Sequence, residues 1–316
     1  MRYVVTGSAG FIGRHVCAEL LAFGHDVVGI DAFTDYYDPA IKRSNAHWLA
    51  ERKGFRGVEL DLATASLDDA FRGADVVIHL AGQPGVRLSW ADHFDIYVER
   101  NVIASQRVFE AVRRTGVPRL VLASSSSVYG NAPKYPTTED SPTRPFSPYG
   151  VTKLAMEQLA SAYVENWGLP VVVLRYFTVY GPGQRPDMGM HRFITHAAAG
   201  EPLVVYGDGE QIRDFTYVAD VATATVAASV ADLPTGSVFN IAGGASSTVN
   251  GVLRLVAESV GRDVVVTRKP AQPGDVRITG GAIDQARQML AWEPAVPLEE
   301  GIKRQVVHQL GEGNPA

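Results

Sequence analysis

The chain has 316 residues, 46% of them hydrophobic and 20% charged, with a formal net charge of −5. This is a globular composition with ample core. The acidic balance, with no Lys/Arg run longer than a pair, argues against nucleic acid or an anionic membrane as a partner. No apolar run reaches membrane-spanning length, the single cysteine, Cys17, excludes an internal disulfide, and strand formers begin at once, so a cytoplasmic protein without a signal peptide is expected.

Residues 3–6 read as a short apolar strand, followed by Gly7-Ser8-Ala9-Gly10-Phe11-Ile12-Gly13 and a helical pattern. Glycines at this spacing permit a tight turn, a close approach of backbone to a pyrophosphate and tight helix-on-strand packing, with the phosphates at the helix N-terminus. A second strand, 26–30, ends in Asp31, eighteen residues past Gly13. A carboxylate there accepts hydrogen bonds from both ribose hydroxyls and repels a 2′-phosphate, which points to NAD rather than NADP.

The alternation continues with a strand at 58–60 closing on Asp61-Leu62, a short helix at 66–72 and an apolar strand at 75–81. A helix from about His93 to Thr115 and a strand at 120–123 follow. Repeated βαβ units predict a doubly wound parallel sheet, an α/β Rossmann architecture. Asp61 caps a turn or holds the adenine amine; the residues alone leave both open. His79, inside a strand, reads as a core histidine rather than a ligand, and no metal-binding spacing occurs.

The strand at 120–123 opens into Ser124-Ser125-Ser126-Ser127-Val128-Tyr129-Gly130. In an open α/β sheet, this carboxyl edge is where ligands bind, so the serines are candidates to hold a sugar hydroxyl rather than a merely solvated loop. A Pro-rich excursion, 133–145, leads to Ser147-Pro148-Tyr149-Gly150-Val151-Thr152-Lys153. Ser147 as N-cap and Pro148 as first helical residue predict a helix running to about Trp167. Tyr149 and Lys153 then share a face one turn apart. A fixed positive charge favours the phenolate of a tyrosine, which is otherwise a weak base at neutral pH. Such a pair is common by accident, and its surroundings give it weight.

After a strand at 171–176 the βα rhythm breaks. We expect an NAD-binding domain over 1–180 and a smaller α+β substrate domain over 181–316, with part of 214–245 returning to the first. Helices are expected at 190–199, 218–230, 249–260 and 298–310.

Taken in one order, the glycine motif, Asp31, Asp61-Leu62, the serine run before Tyr129-Gly130, Tyr149-x-x-x-Lys153, Arg175-Tyr176-Phe177, Tyr180-Gly181-Pro182 and Arg213-Asp214-Phe215 form a set. It resembles the extended short-chain dehydrogenase/reductase family of nucleotide-sugar epimerases and dehydratases across nearly the whole chain. The stretches Asp31 to Asp38, Gly82 to Arg87 and Thr178 to Met188 resemble the UDP-glucuronic acid 4-epimerases within it.

The resemblance implies tightly held NAD, a UDP-sugar substrate and a homodimer built on helices that include those near 93–115 and 149–167. It implies catalytic roles for Ser125, Tyr149 and Lys153. Cofactor contacts fall on Gly7, Gly10, Phe11, Ile12, Gly13, Asp31, Asp61, Leu62, Leu80, Ala81, Gln83, Asn101, Tyr149, Lys153 and Tyr176. Substrate contacts fall on Val86, Arg87, Ser125, Ser126, Ser127, Thr178, Arg185, Arg192, Tyr206, Gln211, Arg213 and Asp275. Gln272 stands where the family often has arginine, and Thr178 where it often has asparagine.

The expected activity is NAD-dependent C4 epimerisation of a UDP-sugar, UDP-glucuronate to UDP-galacturonate, through a transient 4-keto sugar. Arg185 would hold the C6 carboxylate so that the β-keto acid does not lose CO₂. Related dehydratases and decarboxylases carry an acid two or three residues before the tyrosine of the serine run; Ser126 and Ser127 occupy those places. UDP-glucose 4-epimerisation, UDP-glucuronate decarboxylation and a non-catalytic NAD-binding role are the alternatives.

Overall fold

The computed structural model describes residues 1–311 apart from 245 and 272, so Gln272 lies outside the described residues. The first half builds β1 (Arg2–Thr6), α1 (Phe11–Ala22), β2 (Asp26–Asp31), α2 (Pro39–Ala50), β3 (Phe55–Glu59), α3 (Asp68–Phe71) and β4 (Val76–His79). After α4 (Phe94–Tyr97) a π-helical turn, Val98–Ile103, leads into α5 (Ala104–Thr115), β5 (Leu120–Ser125), α6 (Pro148–Trp167) and β6 (Val171–Tyr176). These strands and one late arrival, β10 (Val238–Ile241), form a seven-stranded parallel sheet in the order β10-β6-β5-β4-β1-β2-β3. Strand order reverses between β1 and β4, which opens a crevice at their carboxyl ends.

Continuous apolar runs make the central strands, because both sheet faces are covered. Along β1, Tyr3 and Val5 point into the layer with α1, while Val4 points the other way, with Val108, Phe109 and Met156 of α5 and α6. Each such side chain taken from water contributes about 1.5–3 kcal/mol.

The remaining elements are β7 (Thr178–Tyr180), α7 (Gly189–Ala199), β8 (Leu203–Tyr206), β9 (Ile212–Tyr217), α8 (Val218–Val230), β11 (Ser246–Thr248), α9 (Val249–Val260), β12 (Val266–Lys269), α10 (Asp284–Leu290) and α11 (Leu298–Gly311). They form a sheet β11-β9-β7 and a parallel pair β12-β8. Tyr180, Ile194, Val252, Val256 and Ile302 make a separate core here. Helix α8 instead packs beside α1 on the main sheet, its Val221, Ala224 and Ala228 sharing that layer.

Several elements depart from the sequence reading. The helix expected over 66–72 is the single turn α3, and the strand over 75–81 shortens to β4, which frees Leu80 and Ala81 to line the crevice. The helix expected from His93 is broken in type by the π turn. Helices α2 and α10 and strands β10, β11 and β12 lie outside the elements the sequence predicts. Helix α2 is capped by Asp38, which accepts from the Ala40 N–H at 2.9 Å, with Pro39 at its first position; β12 and α10 are short and nearly without periodicity.

Candidate active site

A cleft of about 800 Å³ lies over the carboxyl edge of the main sheet and against the smaller sheets. Its floor begins at the glycine loop. Gly7 sits at φ +70°, and a Cβ there would lie 2.8 Å from the Ala81 nitrogen. A Cβ on Gly13 would lie 2.0 Å from the Gly7 carbonyl oxygen, so only glycine lets α1 seat this closely. Gly10, Phe11 and Ile12 line the cleft beside them. Asp31 closes the end of β2, its carboxylate accepting from the Ala9 N–H at 3.1 Å and the Phe33 N–H at 2.9 Å. Asp61 accepts from the Ala63 N–H at 2.8 Å and also faces the cleft with Leu62, so its capping of a turn and a place at the site coexist. A backbone-lined cradle ending in a carboxylate fits a dinucleotide with a free 2′-hydroxyl.

The next segment of wall comes from Leu80, Ala81 and Gln83. Asn101 does not reach the cleft. The π turn directs its buried side chain behind the wall, where Oδ1 accepts from the Gln83 N–H at 2.7 Å and Nδ2 donates to the Gln83 carbonyl and to Thr152 Oγ1, both at 3.0 Å. It braces the cleft instead of lining it. His79, buried in β4, lies between Thr6 Oγ1 at 2.7 Å and Ser105 Oγ at 3.0 Å, a fully partnered core histidine.

At the centre, α6 starts as its sequence demands, with Ser147 accepting from the Gly150 N–H at 3.1 Å. Tyr149 in the first turn faces the cleft beside Ser125, at the end of β5, and meets Tyr97 edge-on with ring centroids 6.2 Å apart. Burial pushes the phenol above its ordinary value, while the Ser125 hydroxyl and the Arg185 charge pull it down. The sequence reading gave that second task to Lys153. The spacing does bring Lys153 to the same cleft, but its ammonium turns to the end of β5 and donates to the Ala123 carbonyl at 2.9 Å. Burial lowers the ammonium to about 8, and Glu157 opposes the drop. Ser125 Oγ also accepts from the Ser127 N–H at 3.1 Å, which shapes the serine run as a tight turn. Tyr176 contributes to the same floor, its hydroxyl held by Thr225 at 2.7 Å.

On the far side, Val86, Ser126, Ser127, Thr178, Arg185, Arg192, Tyr206, Gln211 and Asp275 line the cleft. Arg87 pairs with Asp275 at 3.1 Å and lies 4.3 Å over the Tyr206 ring, joining the two halves of the molecule across the opening. Gln211 donates to the Tyr206 carbonyl at 2.8 Å, while its Oε1 is buried with no hydrogen-bond partner among the described residues. Arg213 is the exception. It donates to the Ile212 carbonyl at 2.9 Å and lines a smaller cavity of about 160 Å³, shared with Ser126, Ser127 and Thr178.

Sequence reasoning missed some lining residues. Tyr36 and Tyr37 reach in from the turn before α2, and Lys42 on α2 donates to the Thr34 carbonyl and hydroxyl, both at 2.9 Å. Asp38-Pro39 was the available signal, since a capped helix there fixes the preceding turn over the crevice. Asp187, also lining, grips Arg185, and the loop that carries both is itself tied down: Gly181 N–H donates to Gln305 at 2.9 Å, and Pro182 carbonyl lies 2.9 Å from His15 Nε2.

The family model described as "NAD dependent epimerase/dehydratase family" matches residues 3–242. Among curated proteins, one of Bacillus subtilis (strain 168), named as an uncharacterized UDP-glucose epimerase, YtcB, is 40% identical over 309 residues, covering 98% of each chain. A UDP-glucuronate 4-epimerase of Thermodesulfobacterium geofontis (strain OPF15) is 37% identical over 311 residues, covering 96% of this chain and 94% of its own. A solved structure of UDP-glucuronic acid 4-epimerase from Bacillus cereus, in complex with UDP-glucuronic acid and NAD, superposes with a TM-score of 0.96 at 37% identity, covering 99% of this chain and 100% of that one.

Proposed function

Because the chain belongs to the NAD-dependent epimerase/dehydratase family, we propose that it is an NAD-dependent UDP-glucuronate 4-epimerase, inverting C4 to give UDP-galacturonate. The observation that carries this reading is that Tyr149 and Ser125 share one cleft with the glycine loop on one side and Arg185, Ser126, Ser127 and Thr178 on the other. The likeness to the Bacillus cereus and Thermodesulfobacterium geofontis enzymes supports the substrate.

NAD, when bound, supplies a reversible hydride acceptor for the sugar C4. Gly7, Gly10 and Gly13 cradle its pyrophosphate on the N-terminus of α1, and Asp31 takes the ribose hydroxyls and repels a 2′-phosphate. Tyr149 removes the 4-hydroxyl proton, and Ser125 orients the 4-oxygen. The transient 4-keto sugar would turn within the cleft so that C4 is reduced from its opposite face, which inverts it, while Tyr149 returns the proton to the 4-oxygen.

A 4-keto sugar with a C6 carboxylate is a β-keto acid. Arg185, with the hydroxyls of Thr178, Ser126 and Ser127, holds that carboxylate out of alignment with the carbonyl. Absence of an acid at 126 and 127 disfavours elimination. Arg192 meets the diphosphate from the cleft wall, and Arg213 assists it only by turning from its carbonyl partners. Buried and unpartnered, Gln211 Oε1 suits the N–H of a uracil ring, with Tyr206 beside it.

The same reading assigns 1–180 to the dinucleotide and 181–316 to the sugar nucleotide, with α8 and β10 returned to the first. It includes a cytoplasmic homodimer, supported by exposed Phe94, Ile103, Val151 and Trp167 around α4 to α6. Among the described residues, no helix is long and apolar enough to cross a membrane.

UDP-glucose 4-epimerisation is the second reading, favoured by the name of the Bacillus subtilis relative and by the engagement of Arg185 with Asp187. Incubation with UDP-glucuronate and no added NAD, followed by NMR, is the test. UDP-galacturonate supports the proposal, a UDP-pentose replaces it with decarboxylation, and turnover of UDP-glucose alone replaces it with the second reading.

A further inference from the structure

Beneath Tyr149, α6 is tied to the end of β5 by two buried side chains one helical turn apart. Lys153 donates to the Ala123 carbonyl at 2.9 Å, and Glu157 accepts from the hydroxyl of Ser124, the next residue on the strand. Ser125, the residue after that, stands beside Tyr149. Residues 149, 153 and 157 of one helix face therefore meet 125, 123 and 124 of one strand end.

Glu157 does more than accept one hydrogen bond. Its Oε2 takes Arg175 Nη2 at 2.7 Å, and its Oε1 takes Arg175 Nε at 3.1 Å. Arg175 Nη1 then donates to the Tyr129 hydroxyl at 2.7 Å and to the Glu139 carbonyl at 3.0 Å. Both partners of the ion pair are buried.

The titratable or charged groups facing this cluster are Arg175 from β6, His79 from β4, which feels the Lys153 charge, Tyr149 one turn up α6, and Tyr129 and Glu139 behind Arg175. Of the charges that act on Lys153, Glu157 is the one that holds its ammonium protonated against burial.

We propose that Glu157 is a positioning residue: through Ser124 and Arg175 it locks α6 onto the end of β5, with its carboxylate one helical turn from the Lys153 ammonium that is tied to the same strand end. This rests on the proposed epimerase reading and on the catalytic role that the family resemblance implies for Lys153. An ammonium that loses its charge near neutral pH can neither favour a phenolate nor donate to Ala123 in the same way.

The test is a titration of ¹³Cε-labelled lysine by NMR on the purified protein, which has six lysines, alongside a pH profile of UDP-glucuronate turnover. In Glu157→Gln the Lys153 signal should titrate lower by roughly one pH unit or more, and the alkaline limb of turnover should move down with it. Glu157→Asp, which keeps the charge, should return both toward wild type. An unmoved lysine titration and an unmoved limb in folded Glu157→Gln overturn the proposal.

If that variant does not fold, the double variant Glu157→Gln/Arg175→Gln removes the buried pair as a unit. The Lys153 signal should still titrate lower in it, and an unchanged titration overturns the proposal equally. Lys153→Met separates the two levels. Wild-type turnover in Lys153→Met defeats the catalytic reading while the NMR titration still judges Glu157; lost turnover there, with Glu157→Gln unaltered, defeats the Glu157 assignment alone.

Discussion

Arg185 and Asp187 form a two-pronged pair, with Nε donating to Oδ1 at 2.9 Å and Nη2 to Oδ2 at 3.0 Å. The guanidinium proposed to hold a sugar carboxylate is thus already oriented by a carboxylate of the protein, leaving Nη1 as the edge for a substrate. Tyr36 reaches the same carboxylate at 3.4 Å from the cofactor side.

Removal of Arg185 should therefore discriminate between sugars. Arg185→Ala is expected to lower kcat/KM for UDP-glucuronate by about 10- to 100-fold, the equivalent of one charge-assisted interaction of about 1.5–3 kcal/mol, with a smaller effect on UDP-glucose. Parallel NMR assays of the two substrates check this; equal losses would mean that Arg185 only shapes the loop.

The phenol of Tyr149 lies above its ordinary value because of burial, and Ser125 is the first group pulling it back. Ser125→Ala should raise it further. Since the ionised phenol takes the proton in the proposed mechanism, the acid limb of the turnover profile should move to higher pH, with the loss greatest at neutral pH. Tyr149→Phe should abolish turnover while NAD stays bound, as read by absorbance of the denatured supernatant.

Two glycines of one motif should respond differently. A Cβ on Gly13 would lie 2.0 Å from the Gly7 carbonyl oxygen, whereas on Gly10 it would lie 3.2 Å from the same atom. Gly13→Ala should cost several kcal/mol, of the order of other overpacked cores at about 1–3 kcal/mol or more, and lose NAD. Gly10→Ala should fold and bind NAD more weakly. Thermal melts with and without NAD distinguish the outcomes.

Two histidines, His79 buried in β4 and His15 half-buried beside Pro182, set an acid limit. Burial lowers His79 to about 3 and His15 to about 4. Ser105 Oγ spends its proton on the Asn101 carbonyl, so it accepts from His79 Nε2–H, and His79 Nδ1 must accept from Thr6. A second ring proton would face an occupied hydroxyl. Both groups bind protons more readily unfolded, so their contribution is full above about pH 6.5 and falls with pH, by roughly 1.4 kcal/mol per unit for each. Melting temperature should decline steadily from pH 6.5 to 4, and His79→Gln should flatten that decline.

The Rossmann half was legible because its signals are local: a glycine turn between strand and helix, a carboxylate at a strand end, apolar runs too continuous for a half-exposed sheet. Ser147-Pro148 gave the start of α6 and hence the place of Tyr149. Contacts decided by side-chain direction were not legible. Spacing puts Lys153 on the face of Tyr149 but cannot say that a strand carbonyl captures its ammonium. The resemblance implies a cofactor contact for Asn101, yet the π turn, which no hydrophobic period reveals, directs its side chain to Gln83 and Thr152 behind the wall. Arg185 was readable as a cation in a turn-rich loop; that Asp187 two residues on would orient it depends on the fold of that loop.

The seventh strand of the main sheet, residues 238–241, arrives some sixty residues after its neighbour at 171–176, once the chain has already built β7, α7, β8, β9 and α8. A ribosome therefore releases a sheet whose β6 edge is bare, and the layer formed by α8 is missing until the same late stretch emerges. Cutting the gene after codon 180 would yield a sticky fragment rather than a small cofactor-binding protein, and any attempt to graft this sugar pocket elsewhere would have to carry that returning strand with it.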